Sequence, residues 1–400
     1  MRHPTIDAAD QVLATTYSRM PVVFERGAGA TLWDTEGREY TDFLAGIAVC
    51  GLGHAHPAVQ AALSEQAGKL LHVSNLFYTK PQVELGEWLI RHSFADRVFF
   101  CNSGAEANEA AIKLARKYFY DKGQTGRYRI IAMEQSFHGR TMGSLSATGQ
   151  AKIRKGFEPV LDGFEFVPFN DLEALRAKLD ETVCAVLLEP IQGEGGIVCP
   201  DPDYLPAVRQ LCDETGTLMM LDEIQTGMGR TGKLFAYEHS GAAPDIMTLA
   251  KALGNGLPIG AMLAREAAAN AFGPGAHATT FGGTPIVTAG ALAVVKTMAA
   301  EGIVAQAART GDYFMERLQA LQRRHDRVAG VRGRGLLLGL KLNEEGAPLV
   351  KACLERGFVI NCVQGDILRF APPLIISTRE IDALIDCLDD ILSTEVYQIG

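Results

Sequence analysis

The sequence lacks the marks of several protein classes. Its eight cysteines (Cys50, Cys101, Cys184, Cys199, Cys212, Cys353, Cys362 and Cys387) are scattered and form no C-x-x-C pair. That argues against a disulfide framework or a zinc site and leads to the expectation of a reducing, cytoplasmic setting. His54 and His56 stand close together without a third ligand at suitable spacing, so no metal centre is expected. No Lys/Arg block interrupts a chain of net charge -9, which speaks against a nucleic-acid surface. Asp7 and Asp10 follow Arg2 where a cleaved leader would have an apolar run, so no signal peptide is expected. The longest apolar stretch, about residues 285–295, is too short to span a bilayer. Internal repeats and low-complexity segments are absent.

What is present is a 400-residue chain, 47% hydrophobic and 21% charged, long enough to bury a large core. Residues 1–45 are polar and turn-rich, with a hairpin expected around 27–29 and 34–37. A helix is expected over 57–70. Short apolar runs at 97–101, 129–133, 184–188, 218–221 and 246–249 then alternate with helical patterns or long connections. This is a βαβ series, and it predicts an α/β fold with a mostly parallel sheet. Beyond about residue 300 the pattern changes to a helix (303–323), strands (336–342, 358–361, 367–370) and a final amphipathic helix (378–392). The expected division is an N-terminal segment (1–45) joining a small α+β domain (301–400), with a large domain (46–300) between.

Ligands of open α/β sheets sit beyond the carboxyl ends of the strands, so the residues just after each run are the ones to inspect. They are Asn102-Ser103-Gly104-Ala105-Glu106, then Phe137-His138-Gly139-Arg140, then Glu189, then Asp222-Glu223-Ile224-Gln225, then Lys251. Each alone has an ordinary structural reading. Ser103 with Glu106 fits a capping box, but a strand running through glycine into a helix also presents free N–H groups to a phosphate. Asp222 either caps the next turn or holds a proton on a pyridinium nitrogen. Phe137 is either core or a plate against such a ring, and Gln225 either faces solvent or meets the ring oxygen. Lys251 is either a solvated turn residue or a desolvated amine of lowered pKa, a nucleophile toward aldehydes. Two glycine motifs mislead. Residues 227–233 match G-x-x-x-x-G-K, but Leu234 stands where a P-loop needs Ser or Thr, and Gly333 and Gly335 precede a strand instead of following one.

Taken together and in order, the segments at 102–109, 137–141, 189–196, 221–232 and 250–256 resemble the class III pyridoxal-phosphate aminotransferases, and the resemblance covers essentially the whole chain. It implies fold type I, with a large domain on a mostly parallel seven-stranded sheet and a smaller α+β domain. It also implies pyridoxal 5'-phosphate as cofactor, carried by Lys251, which would double as the acid/base. Asp222 would meet the pyridinium, Gln225 the ring oxygen, and Phe137 the ring face. Ser103, Gly104 and Ala105 would hold the phosphate, with Thr280 reaching in from the other subunit of a homodimer. Residues 16–21, 137–140 and 277–283 narrow the resemblance to members acting on N2-acetylornithine with 2-oxoglutarate. There Arg140 would hold a substrate carboxylate and Thr279 would lie beside the acetylornithine. Arg369 would be a second carboxylate-binding arginine, partnered by Glu189 when no dicarboxylate is bound. Branches acting on ornithine, 4-aminobutyrate, succinylornithine or N-succinyl-diaminopimelate share the lysine and the ring contacts. An aminomutase or decarboxylase on the same scaffold would need no 2-oxoglutarate. Thr284 stands where many relatives carry Asn.

Overall fold

The structure, a computed structural model, describes residues 2–394. A short helix, Pro4–Val12, buries none of its residues; the polar, turn-rich sequence gave no signal for it. Three strands follow, β1 (Phe24–Ala28), β2 (Thr31–Asp34) and β3 (Glu39–Asp42), paired as an antiparallel meander. Gly37, at φ +81, makes the second of its turns.

The centre of the molecule is a seven-stranded sheet. Its strands are β4 (Arg97–Cys101), β5 (Arg129–Met133), β6 (Phe164–Val167), β7 (Val183–Leu188), β8 (Leu218–Asp222), β9 (Ile246–Leu249) and β10 (Gly260–Ala264), in the order β4-β10-β9-β8-β7-β5-β6. All pairs are parallel except those of β10, which runs against both neighbours. Every residue of β7, β8 and β9 is buried, because helices cover both faces and no position faces water. Alternate side chains go to opposite cores. Ile130, Cys184 and Met220 pack against the helix Gly104–Asp121, while Ile131, Val186 and Met219 pack against the helix Tyr204–Thr215. The five runs read from the sequence are all here. β6 and β10 were not read: β10 is Gly-Ala-Met-Leu-Ala, of low β propensity, and forms because its neighbours on both sides supply ladders.

The remaining strands are β11 (Val328–Arg334), β12 (Leu337–Leu342), β13 (Phe358–Val359), β14 (Asn361–Val363) and β15 (Ile367–Phe370). The single strand expected at 358–361 is thus two. β13 pairs in parallel with β3, Phe358 opposite Thr41, while β14 joins the sheet β11-β12-β15-β14. The closing helix, Thr378–Ser393, starts in a capping box of Ser377 and Glu380 and buries Ile381, Leu384, Ile385 and Leu388 at helical spacing. Among the described residues no single helix is long and apolar enough to cross a membrane.

Candidate active site

The strand ends converge on one cavity of about 390 Å³, lined by Ser103, Gly104 and Ala105 after β4, Phe137 and Arg140 after β5, Glu189 and Glu194 after β7, Asp222 and Gln225 after β8, and Lys251 after β9. Parallel strands with their carboxyl ends on one side force this convergence; residues far apart in sequence meet because the sheet orders them.

At the β4 end, Ser103 caps the 18-residue helix Gly104–Asp121, its hydroxyl accepting from the Glu106 N–H at 3.2 Å. The reciprocal half of the expected capping box is displaced by one residue. The Glu106 carboxylate accepts from the Asn102 N–H at 2.6 Å and not from that of Ser103, so the loop is braced one step further back. Gly104 leaves room for the Ile224 side chain: a Cβ there would stand 2.7 Å from its Cδ1, and Ile224 would have to shift. The helix terminus therefore opens into the cavity with its first N–H groups toward any anion.

Asp222 is 4% exposed and held from three directions. Its Oδ2 accepts from the Asn108 amide and from His138 Nδ1, each at 2.8 Å, and its Oδ1 accepts from the Ile224 N–H at 3.1 Å. Asn108 is itself fixed, donating also to the His138 carbonyl at 2.7 Å and accepting from the Thr248 hydroxyl at 2.8 Å. A carboxylate has about four acceptor positions, so one remains toward the cavity. Asn108 and His138 were not singled out in the sequence. The signal for Asn108 was available: it is a polar residue on the same buried helix face as Ala107 and Ala111.

Lys251 has φ +45, a conformation that a side chain other than glycine adopts only under constraint. Burial lowers its ammonium below the ordinary lysine value; nearby Glu194 opposes this and Arg369 adds to it. Gln225 Oε1 is buried without a hydrogen-bond partner. Phe137 carries Arg140 over its ring at 5.6 Å, and Arg140 is exposed with no ion-pair partner among the described residues.

One expected pairing is corrected. Arg369, on β15 and 1% exposed, bonds Glu194 and not Glu189, with its Nε donating to Asn361 at 3.1 Å. Glu189 ends its strand pointing inward, where it accepts from the N–H groups of Phe137 at 3.1 Å and Gly193 at 3.3 Å. Glu194 lies beyond the following turn and so reaches across to the second sheet. The two carboxyls differ accordingly: burial pushes Glu189 up to about 7, whereas at Glu194 burial acts the same way but Arg369, Lys251 and Gln225 together hold it below its ordinary value. Glu223, also raised to about 7 by burial, is turned away and accepts from the Ala236 and Tyr237 N–H groups at 2.7 and 2.8 Å.

Thr279 and Thr280 do not line this cavity. Thr279 accepts from Asn102 at 3.3 Å, one residue removed from it, and Thr280 lines a separate cleft with His72 and Gln82. The glycine turn at 227–233 is a joint: Arg230, fully buried inside it, donates to the carbonyls of Leu336 at 3.0 Å and Pro372 at 2.5 Å.

Comparison with known proteins identifies the family. Residues 12–392 match the family model described as aminotransferase class-III, and the chain belongs to that family. It is a pyridoxal-phosphate-dependent aminotransferase. Among its relatives, the acetylornithine aminotransferase of Caldanaerobacter subterraneus is 52% identical over 95% of this chain and 97% of its own, and that of Methanocaldococcus jannaschii is 48% identical over 97% and 98%. Among solved structures, the ornithine aminotransferase of Toxoplasma gondii superposes with a TM-score of 0.94 at 33% identity, covering 98% of this chain and 94% of that one. The N-acetylornithine aminotransferase of Stenotrophomonas maltophilia gives 0.83 at 40% identity, covering 96% and 97%.

Proposed function

We propose that this chain transfers the terminal amine of N2-acetylornithine to 2-oxoglutarate, giving N-acetylglutamate 5-semialdehyde and glutamate, a step of arginine biosynthesis. The observation that carries this reading is the unequal pair of guanidiniums: Arg140 free and exposed, Arg369 buried and masked by Glu194. An acylated amine with one carboxylate needs one arginine, and 2-oxoglutarate needs two. A carboxylate that covers the second arginine and can swing away lets one cavity serve both. The relatives named for acetylornithine support the same choice.

The residues fit pyridoxal phosphate. The helix terminus at Gly104 lines the cavity and is open to an anion, Gln225 carries an amide that can donate into it, and Asp222 is fixed with one acceptor position left. When bound, the cofactor supplies an aldehyde for the amine and a ring that withdraws electrons from the carbon losing its proton. Asp222 would keep a proton on the ring nitrogen, and Asn108 and His138 keep Asp222 aimed. Ser103, Gly104 and Ala105 would hold the phosphate, Gln225 would meet the ring oxygen and Phe137 would cover the ring. Lys251, its amine biased toward the neutral form by burial, takes a proton and returns it. The 1–45, 46–300 and 301–400 division belongs to this reading, supported by the β3–β13 pairing that ties the first segment to the last.

A homodimer completes the site. Leu76, Phe77, Tyr78 and Phe281 are 84%, 62%, 97% and 61% exposed. Asn75 bonds the carbonyls of Thr279 and Gly282 at 3.2 and 2.9 Å, joining the two segments into one apolar face beside Thr280. A second copy covering that face would bring Thr280 to the partner's phosphate site and Thr279 toward its substrate. Eight free cysteines suit the reducing cytoplasm.

The test is a half-reaction without keto acid, adding N2-acetylornithine, ornithine, 4-aminobutyrate and N2-succinylornithine separately. Rapid bleaching of the cofactor band by acetylornithine, reversed by 2-oxoglutarate, is expected. Bleaching only by another amine would overturn the substrate; product formed beyond one equivalent per site without 2-oxoglutarate would point to a mutase or decarboxylase.

A further inference from the structure

One wall of the cavity has a backbone that its sequence does not favour. Ala45, Gly46, Ile47 and Ala48 have φ of 51, 65, 67 and 60°, four consecutive residues of left-handed helix. The turn closes through Ala48 N–H to the Leu44 carbonyl at 2.9 Å and Val49 N–H to the Ala45 carbonyl at 2.8 Å. For L-residues this hand drives Cβ against the following carbonyl, and a β-branched residue such as Ile47 suffers most. Gly46 alone adopts it freely. Such a turn persists only where its surroundings over-determine it.

The surroundings are explicit. Asp42, 2% exposed at the end of β3, accepts from the Leu44 and Ala45 N–H groups, each at 2.8 Å, and so caps the turn with Oδ1. Its Oδ2 accepts from His54 Nε2 at 2.8 Å. His54 is anchored to Gly29 by backbone bonds of 2.8 and 3.1 Å in both directions. On the far side, Asn255 accepts from the Leu52 N–H at 2.7 Å and donates to the Gly53 carbonyl at 3.0 Å. Asn255 lies four residues after Lys251 and is itself left-handed at φ 48. Val49, the residue the turn delivers, lines the cavity with Lys251 and Arg140.

We propose that Asp42 and His54 are positioning residues for amine transfer: they clamp the left-handed turn 45–48 and thereby set Val49 as the wall against which the amino donor's chain is held. The inference rests on reading the cavity as the amine site. Neither residue lines the cavity, so they act through the turn and not on substrate.

The test uses the holoenzyme and separates kcat from KM. His54→Leu removes the donor that holds Asp42. It is expected to raise the KM for the amino donor about tenfold, the equivalent of losing the margin that holds one left-handed residue, with kcat changed less than about threefold. His54→Gln, which keeps a donor, is expected to stay near wild type. Ala48→Gly, which accepts the left-handed backbone freely, is expected to restore most of the KM when added to His54→Leu. Gly46→Val probes the turn without touching the clamp. A Cβ at Gly46 has room, its nearest neighbour being Val49 Cβ at 3.6 Å, and a β-branched residue resists the left-handed backbone, so the KM should again rise several-fold.

An unchanged KM in Gly46→Val overturns the proposal, whether or not His54→Leu folds. So does a His54→Leu defect that falls on kcat alone or that Ala48→Gly does not relieve. A wild-type holoenzyme that transfers no amine would defeat the functional reading instead, and the two failures cannot be confused.

Discussion

The floor and the mouth of the cavity are built differently. The floor is Asp222 with Asn108, His138 and Thr248, a buried network whose bonds to one another are 2.7 to 2.8 Å and whose members sit on or beside the central strands. The mouth is made of Arg140, exposed and free, and of Arg369 covered by the partly exposed Glu194. A buried network of several shared bonds holds one geometry, because every displaced bond leaves a desolvated group behind. A single ion pair at an opening has an alternative partner in any incoming carboxylate. The difference assigns fixed work to the floor and exchange of substrates to the mouth.

Breaking the floor gives the largest effect. Asp222→Ala leaves the ring nitrogen without a counter-charge and strands the Asn108 and His138 donors. Loss of kcat by about 10³-fold or more is expected from a group acting on the proton balance of the reaction, together with about 1–3 kcal/mol of stability from the orphaned donors. Stopped-flow kinetics and denaturant melts check the two parts. A variant within tenfold of wild-type kcat would show that the network is scaffolding only.

A change at the mouth sharpens the comparison. Glu194→Gln keeps a hydrogen bond to Arg369 but removes the charge that competes with a carboxylate. It is expected to lower the KM for 2-oxoglutarate and raise that for the amino donor, each by about three- to tenfold, with little change in kcat. Equal shifts in both KM values would mean that Glu194 does not discriminate between them.

The smallest effect concerns the wall. The Asp42 bond raises His54 to about 9, with the Cys50 thiol adding and burial opposing. A pKa raised in the folded state gives stability that is complete below the unfolded value near 6.5 and is lost as pH rises through 9. Arg230, buried nearby, faces the same Asp42. The melting temperature is therefore expected to fall by about 2 °C between pH 7 and pH 10 beyond the drop seen in His54→Gln. Parallel profiles for the two proteins would remove His54 as the cause.

What could be read from the sequence follows the same division. Lys251, Asp222, Gln225 and the Ser103–Gly104 turn were legible because each ends a buried apolar run, and a parallel sheet sends all such ends to one side. Glu189 was given to Arg369 on the resemblance alone, with nothing in the local sequence to choose between it and Glu194. The true partner, Glu194, depends on a turn whose path is set by contacts 175 residues away. The left-handed turn was invisible for a similar reason: Ala-Gly-Ile-Ala reads as an ordinary segment, and its hand comes from Asp42 and its packing. Strand β10 was missed because its residues are small, and only its neighbours make it a strand.

The central claim is that amine chemistry occurs at Lys251, and chemical trapping tests it most directly. Protein loaded with pyridoxal phosphate would be reduced with borohydride, digested, and searched by mass spectrometry for the lysine carrying the reduced cofactor. The expected result is near-complete modification of Lys251 and of no other lysine, with Lys251→Ala unmodified and inactive yet still retaining cofactor noncovalently. Modification spread over surface lysines, or an active Lys251→Ala protein, would contradict the account.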